Sequence, residues 1–264
     1  MSARPAAVFP PRKIKYLSAP AAVSMTDGYF ELASLDHFWV RRRFEVFQRM
    51  AGELVANAKE LLDVGCGQGM LQRQMEQAYD REVAGFDLNE NGLKHNLSES
   101  GSVYCYDLFQ RDAQFEHRFD LVFLWDVLEH ISDEDSFLGA LLFHLSKGGH
   151  VVINVPAGEW AFSGYDTAAG HVRRYSDCNL FPVLGRNGLQ VLKWTYWGLP
   201  LSPVLLVRKI MLSSSGNQQQ NYCSGFGVRS GLVNRVMGIV SKLEVIPQKI
   251  AGTSLMAVLE VGDQ

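Results

Sequence analysis

Hydrophobic and polar positions first fall into a regular pattern at about Ser34. From there to about Asn57, Trp39, Val46, Phe47, Met50 and Leu54 share one stripe when stepped at about 100° per residue, which predicts an amphipathic helix. From residue 60 short apolar runs alternate with helical patterns. The strands expected are Glu60–Val64, Glu82–Phe86, Val103–Tyr106, Asp120–Leu124 and His150–Asn154, with helices at about Met70–Tyr79, Asn89–Leu97 and Ser132–Leu145. Ser132 and Asp135 read as a capping box for the last of these. Val155–Tyr175 is a long connection rich in glycine and aromatic residues. It is followed by a helix at about Asp177–Arg186 and a strand at about Leu189–Trp194. Helices at about Leu199–Leu212 and Leu232–Leu243 then flank a polar stretch, and a strand at about Ser254–Glu260 comes last. Strands joined by helical crossovers imply a mostly parallel sheet covered on both faces, with ligands beyond the carboxyl ends of the strands.

Composition narrows the class. The 264 residues are 47% hydrophobic and 20% charged with a formal net charge of −3, the balance of a globular domain rather than a disordered or collagen-like chain. A net charge near zero also lacks the footprint of a nucleic-acid binder. Cys66, Cys105, Cys178 and Cys223 form no C-x-x-C pair and have no histidine cluster beside them, so free thiols in a reducing cytoplasm are expected, with no metal site. Residues 1–24, with four prolines and no acidic residue, read as a loosely ordered arm without the apolar core of a signal peptide. The greasiest segment, Trp197–Leu212, is interrupted by Pro200, Pro203, Arg208 and Lys209 and is too short to cross a bilayer.

The chemistry concentrates just after the strands. Leu61-Leu62-Asp63-Val64 runs into Gly65-Cys66-Gly67-Gln68-Gly69 and then a helix. Alternate glycines let a ligand touch main chain, and the exposed amides of a helix start favour an anionic group. The dinucleotide fingerprint needs a small residue where Met70 stands, so the loop suits a nucleoside without a pyrophosphate. Asp87, about twenty residues on, can take both hydroxyls of a ribose, and Asp107 after the next strand can meet an adenine amino group. Cys66 reads as a small residue with its backbone turned to the ligand, or as a reactive thiol at a helix start. Arg41 and Arg42 read as a solvated charge run. Arg43, one turn after Trp39, falls within the apolar stripe and needs an anionic partner, either a ligand or a site carboxylate.

Taken in order, Leu61–Gly69, the strand-end Asp87-Leu88, Asp107-Leu108, Phe119–Ile131 (FDLVFLWDVLEHI) and Leu145–Pro156 (LSKGGHVVINVP) resemble the successive motifs of class I S-adenosylmethionine-dependent methyltransferases. The resemblance covers about Glu60 to Pro156. It implies a Rossmann-like, seven-stranded α/β sheet, mostly parallel with the last strand antiparallel, and S-adenosylmethionine as cofactor. Carried over by position, Gly65, Cys66, Gly67, Gln68 and Gly69 face its amino-acid moiety, Asp87 and Leu88 its ribose, and Asp107 and Leu108 its adenine. Asp63 braces the loop, and Leu124 and Trp125 flank the methionine end. The organisation expected is one domain over residues 25–264: an N-terminal helical cap at 25–58, a cofactor-binding core at 59–196, a helical insertion at 197–245 and the final strand within 246–264.

Methyl transfer needs a nucleophile aligned with an already activated carbon in a site closed to water. An aromatic face, Trp125 or Tyr29, would favour the sulfonium. For a hydroxyl acceptor a general base helps, and His130 and His171 are the candidates. His130 equally reads as a residue pinning a loop. His37–Arg43 and Gly170–Ser176 resemble a narrower subset of small-molecule methyltransferases, a resemblance that implies no settled substrate. Tyr29, Trp39, Arg43, Arg173, Arg174 and Tyr175 are the acceptor-side candidates, the last three, beside His171, as a cluster for an acidic group. The insertion reads as core packing, as a lid over an apolar acceptor or as a peripheral membrane contact. Two other functions stay open: a non-catalytic module that binds S-adenosylmethionine, and a nicotinamide-dependent oxidoreductase, which Met70 and the lack of a Tyr-x-x-x-Lys pair disfavour.

Overall fold

Apolar side chains along Leu121–Trp125 divide by parity, beyond an irregularity between Phe119 and Leu121, and that division organises the molecule. Leu121, Phe123 and Trp125 join one buried cluster, Val122 and Leu124 the other, as the two-residue period of a strand dictates. In the computed structural model, which describes residues 14–21, 34–212 and 231–262, this strand lies near the centre of one eight-stranded sheet. In chain order the strands are β1 (Lys15–Tyr16), β2 (Leu61–Val64), β3 (Ala84–Asp87), β4 (Val103–Cys105), β5 (Phe119–Trp125), β6 (Leu145–Pro156), β7 (Leu189–Trp197) and β8 (Ser254–Val261). Across the sheet they run β1-β4-β3-β2-β5-β6-β8-β7, parallel as far as β6, with β8 antiparallel to both of its neighbours.

The helices are α1 (Phe38–Ala51), α2 (Leu54–Asn57), α3 (Met70–Tyr79), α4 (Glu90–Lys94), α5 (Glu134–His144), α6 (Gly164–Ala169), α7 (Asp177–Arg186), α8 (Ser202–Leu212) and α9 (Gly231–Val240). One face of the sheet packs on α1 and α3 through Phe47, Met50, Leu71 and Met75. The other packs on α5 and α7 through Leu138, Leu141, Leu180 and Leu184. The chain leaves β2 toward β3 and β4 and returns to β5 on the opposite side of β2, so strand order reverses at β2 and a crevice opens there.

Several expectations are corrected. The helix expected over 34–57 divides at Gly52, where any side chain would meet the Gln48 carbonyl and the Tyr79 hydroxyl, each 2.6 Å away. Asp133, not Ser132, caps α5, its Oδ1 accepting from the Ser136 amide at 3.1 Å. The arm is not wholly loose, because Lys15 and Tyr16 add a parallel edge strand to β4, and this is why the sheet has eight strands rather than seven. Arg42 is not solvated: it is 1% exposed and paired with Glu244 at 3.2 Å. The long connection contains α6, capped through a reciprocal Ser163–Asp166 box. No described helix is long and apolar enough to cross a membrane.

Candidate functional site

A cavity of about 410 Å³ opens over the carboxyl ends of β2, β3 and β5 and runs under α1, α6 and the insertion. Its floor is the glycine loop. Gly65, Gly67 and Gly69 all hold positive φ (73°, 49° and 66°), and a side chain at Gly65 would strike Val127 at 2.5 Å. The Gly65 and Cys66 amides donate to the Phe86 carbonyl, which ties the loop to the end of β3. Asp87 completes the tie, its Oδ2 accepting from the Gly67 amide and its Oδ1 from the Asn89 amide, both at 2.7 Å. Each carboxylate oxygen accepts two hydrogen bonds, so acceptor capacity toward the cavity remains.

The wall after β5 is acidic and tightly built. Asp126 adopts φ 55° and binds both the Arg43 guanidinium and Asn154 Nδ2. Arg43 also lies over the Trp125 ring, 4.9 Å from its centroid. The lining holds four carboxylates (Asp63, Asp87, Asp126 and Glu129) against two guanidiniums, of which Arg43 serves Asp126 and Arg174 serves Asp166. Burial of these acids shows first in their protonation equilibria, and their mutual repulsion second. Burial, with Asp87 adding to it and Arg43 opposing, pushes Asp63 up to about 8. Glu129 is fully buried, and neither of its carboxylate oxygens has a hydrogen-bond partner. Burial, reinforced by Asp126, raises its carboxyl well above the usual range. Such a lining suits a ligand carrying positive charge.

Beyond the loop, His171 is held by Asp166, with Nδ1 2.9 Å from Oδ1, while its Nε2 lies 3.9 Å from Glu129. His130 places Nδ1 3.1 Å from the Gly170 carbonyl, and its ring sits edge-on to His171 with centroids 4.9 Å apart. Burial and the neighbouring His171 lower His130 to about 4, so it is neutral at neutral pH. Although the sequence pattern asks for no metal, Glu129, His130 and His171 bring three ligand-capable atoms within 4.8 Å of one another. The remaining wall is apolar, formed by Trp39, Tyr165, Leu201, Val204, Leu205 and Met237.

The expected residues therefore separate. Asp63, Gly65, Cys66, Gly67, Gln68, Asp87, Trp125, Trp39, Arg43, His130, His171 and Arg174 all line this cavity. Gly69 instead sets the start of α3, and Leu88 packs on the small cluster around Cys105. Leu108 and Leu124 are core residues. Asp107 stands at the end of β4 outside the cavity wall, its Oδ1 accepting from the Phe109 amide at 3.0 Å. Cys66 is buried and its thiol is pushed well up by desolvation, which removes the reactive-thiol alternative. The acceptor-side cluster also dissolves. Tyr175 is 2% exposed and donates to the Leu128 carbonyl and to Glu134, and Arg173 pairs with Glu134 and the Ser132 carbonyl. Both brace the loop from outside because Glu134 offers them a carboxylate there. Tyr29 lies outside the described residues. The sequence reading did not single out Asp166 and Glu129. Their only linear signals are an acid five residues before His171 and an acid directly preceding His130.

Comparison with known proteins agrees with this fold and site. The family model described as a methyltransferase domain matches residues 35–200. The ubiquinone biosynthesis O-methyltransferase of Bordetella avium is 34% identical over 115 residues, covering 41% of this chain and 46% of that protein. Among solved structures, a SAM-dependent methyltransferase from Archaeoglobus fulgidus superimposes with a TM-score of 0.52 at 17% identity, covering 84% and 90% of the two chains. A phosphoethanolamine N-methyltransferase 2 from Haemonchus contortus gives 0.53 at 19% identity, covering 86% and 53%. The chain spans less than half the length of the Bordetella relative it matches. This chain belongs to the methyltransferase-domain family, and its fold is that of the class I S-adenosylmethionine-dependent methyltransferases.

Proposed function

We propose that this protein transfers a methyl group from S-adenosylmethionine to a hydroxyl carried on an apolar, lipid-like acceptor. When bound, the cofactor supplies a methyl group on a positively charged sulfur, already activated for transfer. The residues present fit it: a glycine loop with positive φ, a strand-end carboxylate and an acidic, partly desolvated wall. Asp87 would hold the ribose and the backbone at Gly65–Gly67 the amino-acid end. Trp125 and the acidic wall favour the cation.

The observation that carries the choice of acceptor is His171, held from behind by Asp166, in a cavity that also presents the apolar side chains of Trp39, Val204, Leu205 and Met237. Asp166 is fully buried, also accepts from Arg174 Nε at 2.8 Å and is held low, to about 2. It stays ionised and fixes the His171 tautomer with its proton on Nδ1, leaving Nε2 to accept a proton from the acceptor hydroxyl as that oxygen becomes the nucleophile. Trp39, Leu205 and Met237 hold the acceptor body and exclude water.

The test follows transfer of a labelled methyl group from S-adenosylmethionine to extracted lipids and to a panel of phenols, amines and thiols. Label should appear in ether linkages, and His171→Asn should lower kcat by roughly a hundredfold to ten-thousandfold with S-adenosylhomocysteine affinity unchanged. An unaltered kcat in His171→Asn, or label confined to amines, sinks the reading. The convergence of Glu129, His130 and His171 favours a second one, in which a divalent cation holds the acceptor oxygen. Stoichiometric metal in the purified protein, with activity lost to a chelator and restored by that metal alone, would select it.

A further inference from the structure

Two helices of the insertion break the ordinary rule that apolar helical residues are covered. Helix α9 reads GLVNRVMGIV, and none of its residues is buried. Leu232 is 72% exposed and Ile239 60%. On α8, Leu206, Val207 and Ile210 are likewise exposed, as are Leu243, Val245 and Ile250 farther along. Scattered exposed leucines are normal, but so many on two helices that both pack on the Leu199–Leu201 turn mark an interaction surface.

Charge indicates what covers it. Residues 198–253 carry six basic side chains (Arg208, Lys209, Arg229, Arg235, Lys242 and Lys249) and a single acid, in a chain whose net charge is −3; Lys242 also meets Glu45 of α1 at 2.6 Å, and Lys249 lies over the Trp194 ring. That acid, Glu244, is buried and bound to Arg42 and to the Gly198 and Leu199 amides, so it offers nothing to the surface. A second copy of so basic a segment would repel its mate, whereas an anionic surface would attract it. Trp160, half-exposed beside α8 with its carbonyl accepting from Lys209, supplies the amphipathic ring favoured at a lipid–water boundary. The same helices reach the cavity, which Val204 and Leu205 of α8 and Met237 of α9 help to line.

We propose that α8, α9 and the segment after α9 form a docking surface for an anionic phospholipid bilayer, with the apolar side chains entering the headgroup boundary and the basic ones meeting lipid phosphates. The mouth of the cavity then faces the membrane, and an apolar acceptor enters without crossing water. This surface stands whether or not the reaction proposed above is correct, because binding is measured with neither cofactor nor acceptor present.

The full chain is sedimented with vesicles of phosphatidylcholine alone and with vesicles that also contain phosphatidylglycerol. Binding should require the anionic lipid and weaken with salt. The combined variant Ile210→Ser, Leu232→Ser, Ile239→Ser, none of which lines the cavity, should reduce the bound fraction by about tenfold or more. Its unfolding midpoint and S-adenosylhomocysteine affinity should match the parent's, which separates lost docking from lost fold. A second variant, Arg235→Glu with Lys249→Glu, should lose the preference for anionic lipid while retaining the same fold. Wild-type protein that stays in the supernatant with anionic vesicles overturns the proposal. So does equal binding to both vesicle types, or a stable dimer that the serine variant dissociates while vesicles are ignored.

Discussion

Asp87 and Asp63 are the residues on which the site's electrostatics turn, and they are built differently. Asp87 receives two backbone amides at 2.7 Å, so its carboxylate is aimed before any ligand arrives. Asp87→Ala should weaken S-adenosylhomocysteine binding by about 1.5–3 kcal/mol for each charged hydrogen bond lost, measured by titration calorimetry. Asp63 is 4% exposed, and burial pushes it up to about 8, so the fold favours its protonated form. A carboxyl raised in this way binds its proton more tightly folded than unfolded. Its contribution is present below about pH 4, the unfolded range, and is lost progressively as pH rises toward 8. Urea midpoints of Asp63→Asn should therefore rise relative to the parent between pH 5 and pH 8, by an amount that grows with pH. A constant offset across that range would refute the assignment. Asp87 was readable from its place at the end of an apolar strand, and Asp63, inside β2, from the motif resemblance. The state of Asp63 was not, because desolvation depends on everything packed around it.

At the scale of elements, α3 shows how one helix is tied to the loop that leads from α4 into β4. Glu76 sits in its last turn and accepts from Ser98 Oγ at 2.5 Å and from the amides of Glu99 and Ser100 at 2.9 Å, while Arg73 donates to it at 3.1 Å. Its carboxyl must be desolvated to sit there, but these donors outweigh that cost and hold it at about 2. The depressed pKa gives stability that is full above about 4.5 and is lost as pH falls toward 2. Glu76→Gln should cost about 2 kcal/mol near neutrality, read from denaturant unfolding, with a smaller difference below pH 3. The boundaries of α3 and α7 follow from the periodicity of their apolar faces. The ending of α1 at Gly52 does not, because it is set by how closely Tyr79 approaches from another helix.

At the scale of the whole molecule, one buried ion pair fastens the insertion to the cofactor domain. Arg42 of α1 and Glu244 after α9 are both nearly sequestered from water, and the same carboxylate receives the Gly198 and Leu199 amides where the chain leaves β7. Removing Glu244 leaves the buried Arg42 with only the longer contact to Glu45 at 3.5 Å, so Glu244→Gln should cost about 3 kcal/mol. Hydrogen exchange should show faster amides in α9 and in Gly198–Leu201, with β2 and β5 unchanged. Uniform acceleration across the sheet would show that the pair supports the core instead of the insertion. This pair also explains why the Arg41–Arg43 run misleads as a linear pattern. Three successive positions on a helix point in different directions, and here Arg42 meets an acid some two hundred residues away while Arg43 meets Asp126.

The parallel sheet, the glycine loop, Asp63, Asp87 and the candidate histidines were determined by the sequence alone, because strand parity, helix periodicity and the backbone freedom of glycine are local properties. Only tertiary structure decided what each charged residue faces. It turned Arg173 and the buried Tyr175 away from the cavity onto Glu134, drew Asp166 beneath His171, and left the Glu129 carboxylate buried without a hydrogen-bond partner. Pairing and desolvation arise between segments distant in the chain, so no neighbouring residue carries their record.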